Sequence, residues 1–450
     1  MNSGVDFMTK STADDALSSK ASACQLKYFN DPFVSTMLTK SHGALMKAER
    51  RRQPIINRGY FARIETIRVQ LSKFMQKFKE GPIQIISFGC GFDTMSLNML
   101  HELQIQGRES TENETNNTNT NTNTNYNNDI TFYEVDFMDV VRNKERYLRS
   151  EDLFMNVLYP NESDREELSV FNEWTTLDDV DGSSSVAAGS SGSSGGMIHC
   201  TLGSKKNYKL IGCDLRKSKN VKKVLLDAGI NPNIPCAIIS ECTLVYIKSK
   251  HSSLLLRDIA SIFNTNTPNM WLSYDMTHSN DTYGRVMLRN LTNAGYKVPS
   301  FTDLPTIDLH KKLFETAGWG EPVKYVPIDD LDADAVDGFD KIEVPITAIE
   351  EGDGSESDCE NDDKNNNTIH ITVPTGTPTA TPTATASPVS HVASFGSVSC
   401  ITMLEAWNKL IDNNDKIRVS KLEIFDEIEE WNMLMSHYCL ITALRNVRFD

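Results

Sequence analysis

Apolar residues recur along the chain with two different periods. Between residues 56 and 79 they return every three or four positions, as at Ile64, Ile67 and Leu71, which predicts an amphipathic helix. Continuous apolar runs predict buried strands instead, namely IQIISF (83–88), ITFYEVDF (130–137), YKLIGCDL (208–215), CAIISECTLVYI (236–247) and MWLSYDM (270–276). Because helical patterns follow most of these runs, the sequence predicts an α/β fold with a parallel sheet covered on both faces.

The C-terminal part of the chain adds helices and two more strands to this prediction. Helices are expected near 284–295, near 307–317 and at 421–436. The strands are EPVKYVPI (321–328) and HYCLITALRN (437–446), which brings the predicted total to seven.

Three segments lack the apolar side chains that a folded core requires. They are residues 104–128, rich in Thr and Asn, residues 181–196, rich in Ser and Gly, and residues 351–398, acidic and then rich in Thr and Pro. Such compositions bury too little apolar surface to offset the entropy of ordering the backbone, so we expect three disordered inserts. The rest of residues 1–450 is expected to form a single domain.

Charge and cysteine content narrow the possible functions. The chain has 61 acidic and 45 basic residues and a net charge of −16. This argues against a nucleic-acid partner, because such binding depends on neutralising phosphates. The nine cysteines form no C-x-x-C pair, so no metal site is predicted and reduced thiols are expected. With no signal-peptide pattern and no apolar run long enough for a membrane, we expect a cytoplasmic protein, with the nucleus as a further compartment.

The first predicted strand runs into two glycines. At Gly89 and Gly91 the backbone can approach a ligand at the N-terminus of the following helix. Asp136 lies 45 residues beyond Gly91, and the interval contains the 25-residue segment 104–128, so the spacing without it is 45 − 25 = 20. An acid about 20 residues beyond such glycines is typical of folds that bind a nucleotide ribose. The alternatives are an ordinary tight turn and a capping Asp.

Other polar residues stand near the ends of the later strands. Asp214 can accept from an adenine amine while Leu215 packs on the ring. Glu241 interrupts an apolar run and therefore needs a partner or a function. Arg63 can hold a carboxylate through two parallel hydrogen bonds. A structural salt bridge for Glu241 and a surface pair between Arg63 and Glu65 remain the alternatives.

Eight stretches of the chain together resemble the leucine carboxyl methyltransferase family. In chain order they are DALSSK (15–20), NDPFV (30–34), PIINRGYFARI (54–64), IISFGCGFDT (85–94), FYEVDF (132–137), LIGCDLR (210–216), ISECTLVYI (239–247) and EIFDEIEEWNMLMSHYCL (423–440). The combination of NRGYFAR, GCGFDT and SECTLVY is far more specific than a single glycine motif. The three inserts fall between these stretches and leave each one intact.

The resemblance implies a fold and a cofactor. The fold is a Rossmann-like class I S-adenosylmethionine-dependent methyltransferase, with a seven-stranded, mostly parallel sheet whose last strand is antiparallel and with a helical N-terminal lid. The cofactor is S-adenosyl-L-methionine. The resemblance gives roles to eight residues: Lys20 and Arg63 at the methionyl carboxylate, Gly89 at the glycine loop, Asp136 at the ribose, Asp214 and Leu215 at the adenine, Glu241 at the amino group, and Tyr246 as a weaker candidate on the substrate side.

The resemblance also implies a reaction and a partner. The chain is expected to methylate the C-terminal leucine α-carboxyl group of the protein phosphatase 2A catalytic subunit. It would recognise the tail and the folded surface of that subunit, and act as a monomer. A terminal carboxyl group has a reference pKa near ~3.5, so it is ionised at neutral pH and no general base is expected.

Three other functions fit parts of the pattern. A paralogous carboxyl methyltransferase acting on a tRNA base side chain or a small acid has the same fold, although the acidic charge argues against tRNA. A nicotinamide oxidoreductase uses a similar arrangement of strand, glycines and acid, but Thr94 stands where its fingerprint has a third Gly or Ala. A non-catalytic phosphatase-binding protein would have no need of the cofactor residues.

Overall fold

The computed structural model describes residues 3–48, 52–116, 129–161, 163, 174–178, 196–320 and 395–449. Its helices, in chain order, are α1 (Ser3–Gln25), α2 (Val34–Lys40), α3 (His42–Ala48), α4 (Pro54–Lys77), α5 (Met95–Asn116), α6 (Met138–Arg149), α7 (Asp152–Leu158), α8 (Ser218–Asp227), α9 (Ser249–Ala260), α10 (Thr282–Asn293), α11 (Pro299–Asp303), α12 (Ile307–Phe314), α13 (Met403–Leu410), α14 (Asn413–Val419) and α15 (Ile428–Ser436). None of the helices in these ranges is long and apolar enough to cross a membrane.

The described strands form one mixed sheet. They are β1 (Ile83–Phe88), β2 (Ile130–Asp136), β3 (Thr175–Leu177), β4 (Met197–Leu202), β5 (Tyr208–Gly212), β6 (Cys236–Glu241), β7 (Asn269–Met276), β8 (Gly396–Thr402) and β9 (Tyr438–Arg445). Their order across the sheet is β3-β4-β5-β2-β1-β6-β7-β9-β8. The five strands from β5 to β7 are parallel, and β9 runs antiparallel to both of its neighbours. The predicted mostly parallel sheet with an antiparallel last strand is confirmed.

The sheet has an apolar layer on each face. Along β1, Ile83 and Ile85 pack into one cluster of buried side chains, and Ile86 and Phe88 pack into another. Successive strand residues point to opposite faces, so both clusters are expected when helices cover both sides. This arrangement is the one that the continuous apolar run of residues 83–88 predicted.

The structure has nine described strands where the sequence predicted seven. β3 and β4 form an antiparallel edge next to β5, and their short, partly polar sequences give little strand signal. The predicted strand 321–328 lies outside the described residues, and β8 pairs with the last strand instead. Residues 396–402 (GSVSCIT) consist mainly of small and polar residues, which is why their pattern did not predict a strand.

Four predicted boundaries differ from the structure. The apolar run 236–247 leaves the sheet at Glu241 and continues as a short 3₁₀ helix at Leu244–Tyr246. The helix expected at 421–436 begins only at Ile428. Helix α5 continues to Asn116, within the predicted insert 104–128, and β8 begins at Gly396, within 351–398. Nearly all of the predicted insert 181–196 lies outside the described residues. The remaining parts of the predicted inserts 104–128 and 351–398 also lie outside them.

A buried ion pair ties helix α6 to the sheet. The side chain of Lys144 has no exposed surface, and its Nζ lies 2.6 Å from Glu134 Oε2 on β2. The same Nζ donates to the backbone oxygen of Asp93 at 2.6 Å, and the hydroxyl of Tyr208 donates to Glu134 at 2.6 Å. Buried charges are tolerated when they are paired and hydrogen-bonded in this way. Lys144 therefore connects the sheet to the turn that follows β1.

We expect Lys144→Met to lower the free energy of unfolding by about 3–5 kcal/mol, because it leaves the Glu134 carboxylate buried and unpaired. The double variant Lys144→Met/Glu134→Gln should recover part of this loss, since the neutral amide can still accept from Tyr208. Urea unfolding followed by circular dichroism measures both changes. Equal destabilisation in the single and double variants would show that the ion pair is not the source of the effect.

Candidate functional site

A cavity of about 500 Å³ lies at the carboxyl ends of the central parallel strands. This edge is where open α/β sheets bind ligands, because the loops after the strands leave a crevice there. All eight residues singled out from the sequence line the cavity: Lys20, Arg63, Gly89, Asp136, Asp214, Leu215, Glu241 and Tyr246. The fold therefore brings together residues that are up to 226 positions apart in the chain (246 − 20 = 226).

Gly89 forms the turn directly after β1. Its φ is +66°, a left-handed conformation that favours glycine. A Cβ atom at this position would lie 2.3 Å from Thr243 Oγ1. The backbone N–H of Gly89 donates to the oxygen of Val135 at 2.8 Å, which holds the turn against β2. Conformation and space both require a glycine at this wall of the cavity.

Asp136 ends β2 and faces the same turn. Its carboxylate accepts from the backbone N–H of Gly91 at 2.8 Å and from that of Phe137 at 2.7 Å. Burial raises the pKa of Asp136 to about 6, although these two hydrogen bonds act to lower it. A carboxylate placed in this way can still accept from hydroxyl groups of a ligand in the cavity.

Lys20 connects the N-terminal helix α1 to the loop after β1. Its Nζ lies 2.6 Å from Asp93 Oδ1, 3.0 Å from Asp31 Oδ2 and 2.9 Å from Thr94 Oγ1. Burial alone would lower the pKa of Lys20, but Asp31 and Asp93 outweigh it and hold the pKa above its ordinary value. Burial would raise the pKa of Asp93, and Lys20 lowers it to about 2. The three ammonium hydrogens thus have three protein partners.

Arg63 and Glu241 form an ion pair in the cavity wall. The Nε of Arg63 donates to Glu241 Oε1 across the gap between α4 and the end of β6. The guanidinium group also lies over the rings of Tyr274, at 4.9 Å, and Tyr60, at 5.2 Å. The described residues provide no hydrogen-bond acceptor for its two terminal nitrogens. The wall therefore presents a cation and an anion side by side.

Asp214 and Leu215 follow β5 at the other end of the cavity. Asp214 accepts from the backbone and side chain of Arg216, with Nη2 to Oδ2 at 2.7 Å. The other edge of the same guanidinium group binds Asp6 of helix α1 at 2.9 and 3.1 Å. Leu215 is buried beside this pair. Helix α1 is thereby fastened over this end of the cavity.

Tyr246 belongs to the 3₁₀ helix after β6. Its side chain is in hydrogen-bond contact with Thr12 of α1, and burial raises its pKa above the ordinary value. Its hydroxyl group is therefore neutral at physiological pH. This makes Tyr246 a hydrogen-bonding and packing residue of the cavity wall and a poor base.

Several residues of the site were missed at the sequence level. Asp93, Arg216 and Thr243 all lie within the quoted stretches GCGFDT, LIGCDLR and SECTLVY, so their identity was visible but their partners were not. Asp6 lies at the start of α1, outside every motif, and its contact with Arg216 joins positions 210 residues apart. Only the folded chain shows that these side chains meet.

Comparison with known proteins identifies the family. The family model described as leucine carboxyl methyltransferase matches residues 8–107 and 123–260. The chain belongs to the leucine carboxyl methyltransferase family. It is therefore an enzyme that transfers a methyl group to a leucine carboxyl group, and its cofactor is S-adenosyl-L-methionine. The predicted Rossmann-like methyltransferase fold is confirmed along with the family.

Relatives of this leucine carboxyl methyltransferase cover nearly the whole chain. The leucine carboxyl methyltransferase 1 homolog of Arabidopsis thaliana is 23% identical over 437 residues, which are 97% of this chain and 89% of the relative. Leucine carboxyl methyltransferase 1 of Debaryomyces hansenii is 24% identical over 459 residues, covering 97% of this chain and 92% of the relative. Among solved structures, phosphoethanolamine N-methyltransferase 2 of Haemonchus contortus matches at 8% identity with a TM-score of 0.33, over 84% of this chain and 52% of that one.

The turn after β1 gives a direct test of the cavity wall. We expect Gly89→Ala to destabilise the protein by more than Gly229→Ala. Both glycines have positive φ, but a Cβ at Gly229 meets nothing within 4 Å. Gly229→Ala should therefore lower the free energy of unfolding by only the roughly 1–2 kcal/mol of the left-handed conformation. Thermal unfolding of the two variants measures the difference, and equal losses would show that the wall relaxes around Thr243.

Proposed function

We propose that this enzyme methylates the C-terminal leucine α-carboxyl group of a protein phosphatase 2A catalytic subunit. The observation that carries the proposal is that all eight residues given a role by the family resemblance line one cavity. The family supplies the leucine carboxyl group as the acceptor. The phosphatase is the substrate implied by the resemblance to the family, which the stretches NRGYFAR, GCGFDT and SECTLVY carry.

The walls of the cavity fit the cofactor. The methionyl end of S-adenosylmethionine carries an ammonium and a carboxylate group, and the adjacent Glu241 and Arg63 are complementary to that pair of charges. The left-handed turn at Gly89, packed against the Thr243 side chain, fixes the backbone of the loop at this wall of the cavity. Asp136 can accept from the ribose hydroxyls, and Asp214 with Leu215 can hold the adenine. Lys20 acts on the methionyl end of the cavity through Asp93, since the three hydrogens of its own ammonium group are already engaged by protein partners.

The chemistry requires positioning more than acid–base catalysis. S-adenosylmethionine supplies the methyl group when it is bound. The acceptor carboxyl group is already ionised at neutral pH, since its reference pKa is near ~3.5, so no side chain has to remove a proton. The protein contributes a partly closed cavity in which fixed charges and hydrogen bonds replace water around the acceptor. The raised pKa of Tyr246 agrees with a role for this residue in orientation.

The state of the cysteines agrees with an intracellular phosphatase as the partner. The described cysteines are all free thiols, and most of them are buried in the sheet core. Proteins with several unpaired thiols are typical of reducing compartments. This supports the cytoplasm as the compartment in which we propose that the enzyme acts.

The state of Asp136 predicts the pH dependence of cofactor binding. A carboxylate accepts from ribose hydroxyls better than a carboxylic acid does, and burial raises the pKa of Asp136 to about 6. Affinity for S-adenosylmethionine should therefore be full above pH 6 and fall as the pH drops through that value. Asp136→Asn should weaken binding roughly 10- to 100-fold at pH 8 and flatten the profile. Calorimetry between pH 5 and 8 tests both; a sloping profile in a folded Asn variant contradicts this role.

The substrate is tested by the site of methyl incorporation. With tritiated S-adenosylmethionine, the purified phosphatase catalytic subunit should acquire a base-labile methyl group at its terminal α-carboxyl. Removal of the terminal leucine, or amidation of the tail, should abolish labelling, because amidation removes the nucleophilic oxygen and its charge. Since one apolar side chain provides only about 1–3 kcal/mol of discrimination, a short tail peptide should be a much poorer substrate than the folded subunit. Labelling of an amidated subunit at a comparable rate would place the methyl group on a side chain and refute the proposal.

A further inference from the structure

Among the described residues, five cationic side chains line the cavity, and four of them already have carboxylate partners. Lys10 binds Asp139 at 2.9 Å. The partners of Lys20, Arg63 and Arg216 are the acids described above. The fifth cation is Arg52, which lies just before helix α4.

Arg52 has no carboxylate partner among the described residues. Its Nη2 donates to the neutral hydroxyl group of Ser18 at 2.6 Å. Its Nε is buried without a hydrogen-bond partner. A buried guanidinium nitrogen that lacks an acceptor is unfavourable, so such a group is expected to have a partner that the isolated chain does not provide. Arg52 is therefore the place in the cavity where a negative charge is missing.

Two carboxylates have to be held when cofactor and acceptor are both bound. The cofactor end that carries a carboxylate also carries an ammonium group, and the neutral pair Arg63–Glu241 complements such a zwitterion. The acceptor carboxylate has no ammonium group beside it, because the leucine nitrogen is in a peptide bond. An acceptor of this kind requires a cation that no protein acid has neutralised. Arg52 meets that requirement.

The surroundings of Arg52 suit the rest of a leucine residue. Apolar side chains from three helices line the same cavity: Leu17, Ile55, Ile56, Leu434 and Met435. Ile55 and Ile56 follow Arg52 in the sequence, and Leu17 precedes its hydrogen-bond partner Ser18. Arg52 lies two residues before Pro54, and helix α4 rises about 1.5 Å per residue, so the nine residues from Pro54 to Arg63 span roughly 14 Å of helix. The two arginines thus line the cavity from backbone positions well apart, Arg52 before α4 and Arg63 within it.

We propose that Arg52 binds the α-carboxylate of the acceptor leucine and sets the preference of the enzyme for a free C-terminus. The proposal rests on the leucine carboxyl activity of the family and deepens the proposed function. Arg52 holds one carboxylate oxygen while the other is free to form the new O–CH₃ bond as the S–CH₃ bond breaks. The acceptor loses its negative charge in this step, so the contact with Arg52 is stronger before the reaction than in the transition state. Loss of Arg52 should therefore raise the KM for the acceptor without lowering kcat.

The kinetic test separates these two effects. Arg52→Gln should raise the KM for the protein acceptor roughly 10- to 100-fold, as expected for the loss of a charge-assisted hydrogen bond, with little change in kcat. The KM for S-adenosylmethionine should stay the same. Arg52→Lys should restore part of the acceptor KM, because it restores the charge without the planar fork. Arg68→Gln is the matched control, since Arg68 lies on α4, the helix that follows Arg52, is 65% exposed and pairs with Glu65 outside the cavity.

A binding test identifies which group Arg52 contacts. N-acetyl-leucine and N-acetyl-leucinamide differ only in the carboxylate, and calorimetry of the enzyme saturated with S-adenosylhomocysteine measures their affinities. The wild-type enzyme should prefer the acid at least tenfold, and Arg52→Gln should lose this preference while Arg68→Gln keeps it. If the wild type binds both compounds equally, or if Arg52→Gln retains the preference, the assignment is wrong. A rise in the KM for the cofactor alone would likewise overturn it, because Arg52 would then bind the methionyl carboxylate.

The two proposals fail in different ways. If the phosphatase subunit is not methylated by the wild-type enzyme, the proposed substrate is wrong. The comparison of acid and amide still decides the role of Arg52 in that case, because it depends only on the leucine carboxyl group.

Discussion

The ion pair between Lys20 and Asp93 holds the N-terminal helices against the sheet. Asp93 lies in the turn after β1, and its carboxylate binds Lys20 while its backbone oxygen accepts from Lys144. Two buried lysines, one from α1 and one from α6, therefore converge on one residue of the turn. Because the interior is dry, each lysine must keep its acid partner, and the pairing fixes the position of the turn. The cavity wall that includes Gly89 depends on this arrangement.

Charge in the cavity is organised in pairs. Arg63 with Glu241 forms one wall, and Arg216 with Asp6 and Asp214 forms the end of the cavity. Paired charges suit ligands that carry both signs or many hydrogen-bonding groups, because each half of a pair can bind the opposite half of the ligand. An unpaired cation suits a simple anion. The paired charges of the cavity therefore suit the cofactor, and the unpaired cation suits the acceptor carboxylate.

Helix α1 takes part in both kinds of contact. Its first turns bind Arg216 through Asp6, and its later turns supply Ser18 and Lys20. The cavity is consequently closed on one side by a helix whose side chains form ion pairs with other elements. Movement of this helix would break several of these contacts together, since one rigid helix holds them all. Access to the cavity and the geometry of its walls are thus linked through α1.

Much of the fold could be predicted from the sequence, because the spacing of apolar residues reflects the local geometry of a helix or a strand. The runs 83–88, 130–137 and 208–215 predicted strands of a parallel sheet, and both faces of that sheet are buried. Strands β3, β4 and β8 were missed, because at and beside the sheet edges short segments are held by hydrogen bonds to a neighbour and need little apolar character of their own.

The sequence also indicated which residues belong to the site, because glycines and acids at strand ends meet at one edge of a parallel sheet. The spacing to Asp136, once the insert was set aside, pointed to such a site. Only the tertiary structure decided the partners of these residues. Among the described residues, Lys20 has three protein partners and Arg52 has a single neutral one. This difference depends on contacts of α1 with the segments before α2 and α4 and with the turn after β1. Such long-range pairing leaves no local pattern in the sequence, because two charges neutralise each other only when the fold brings them close together.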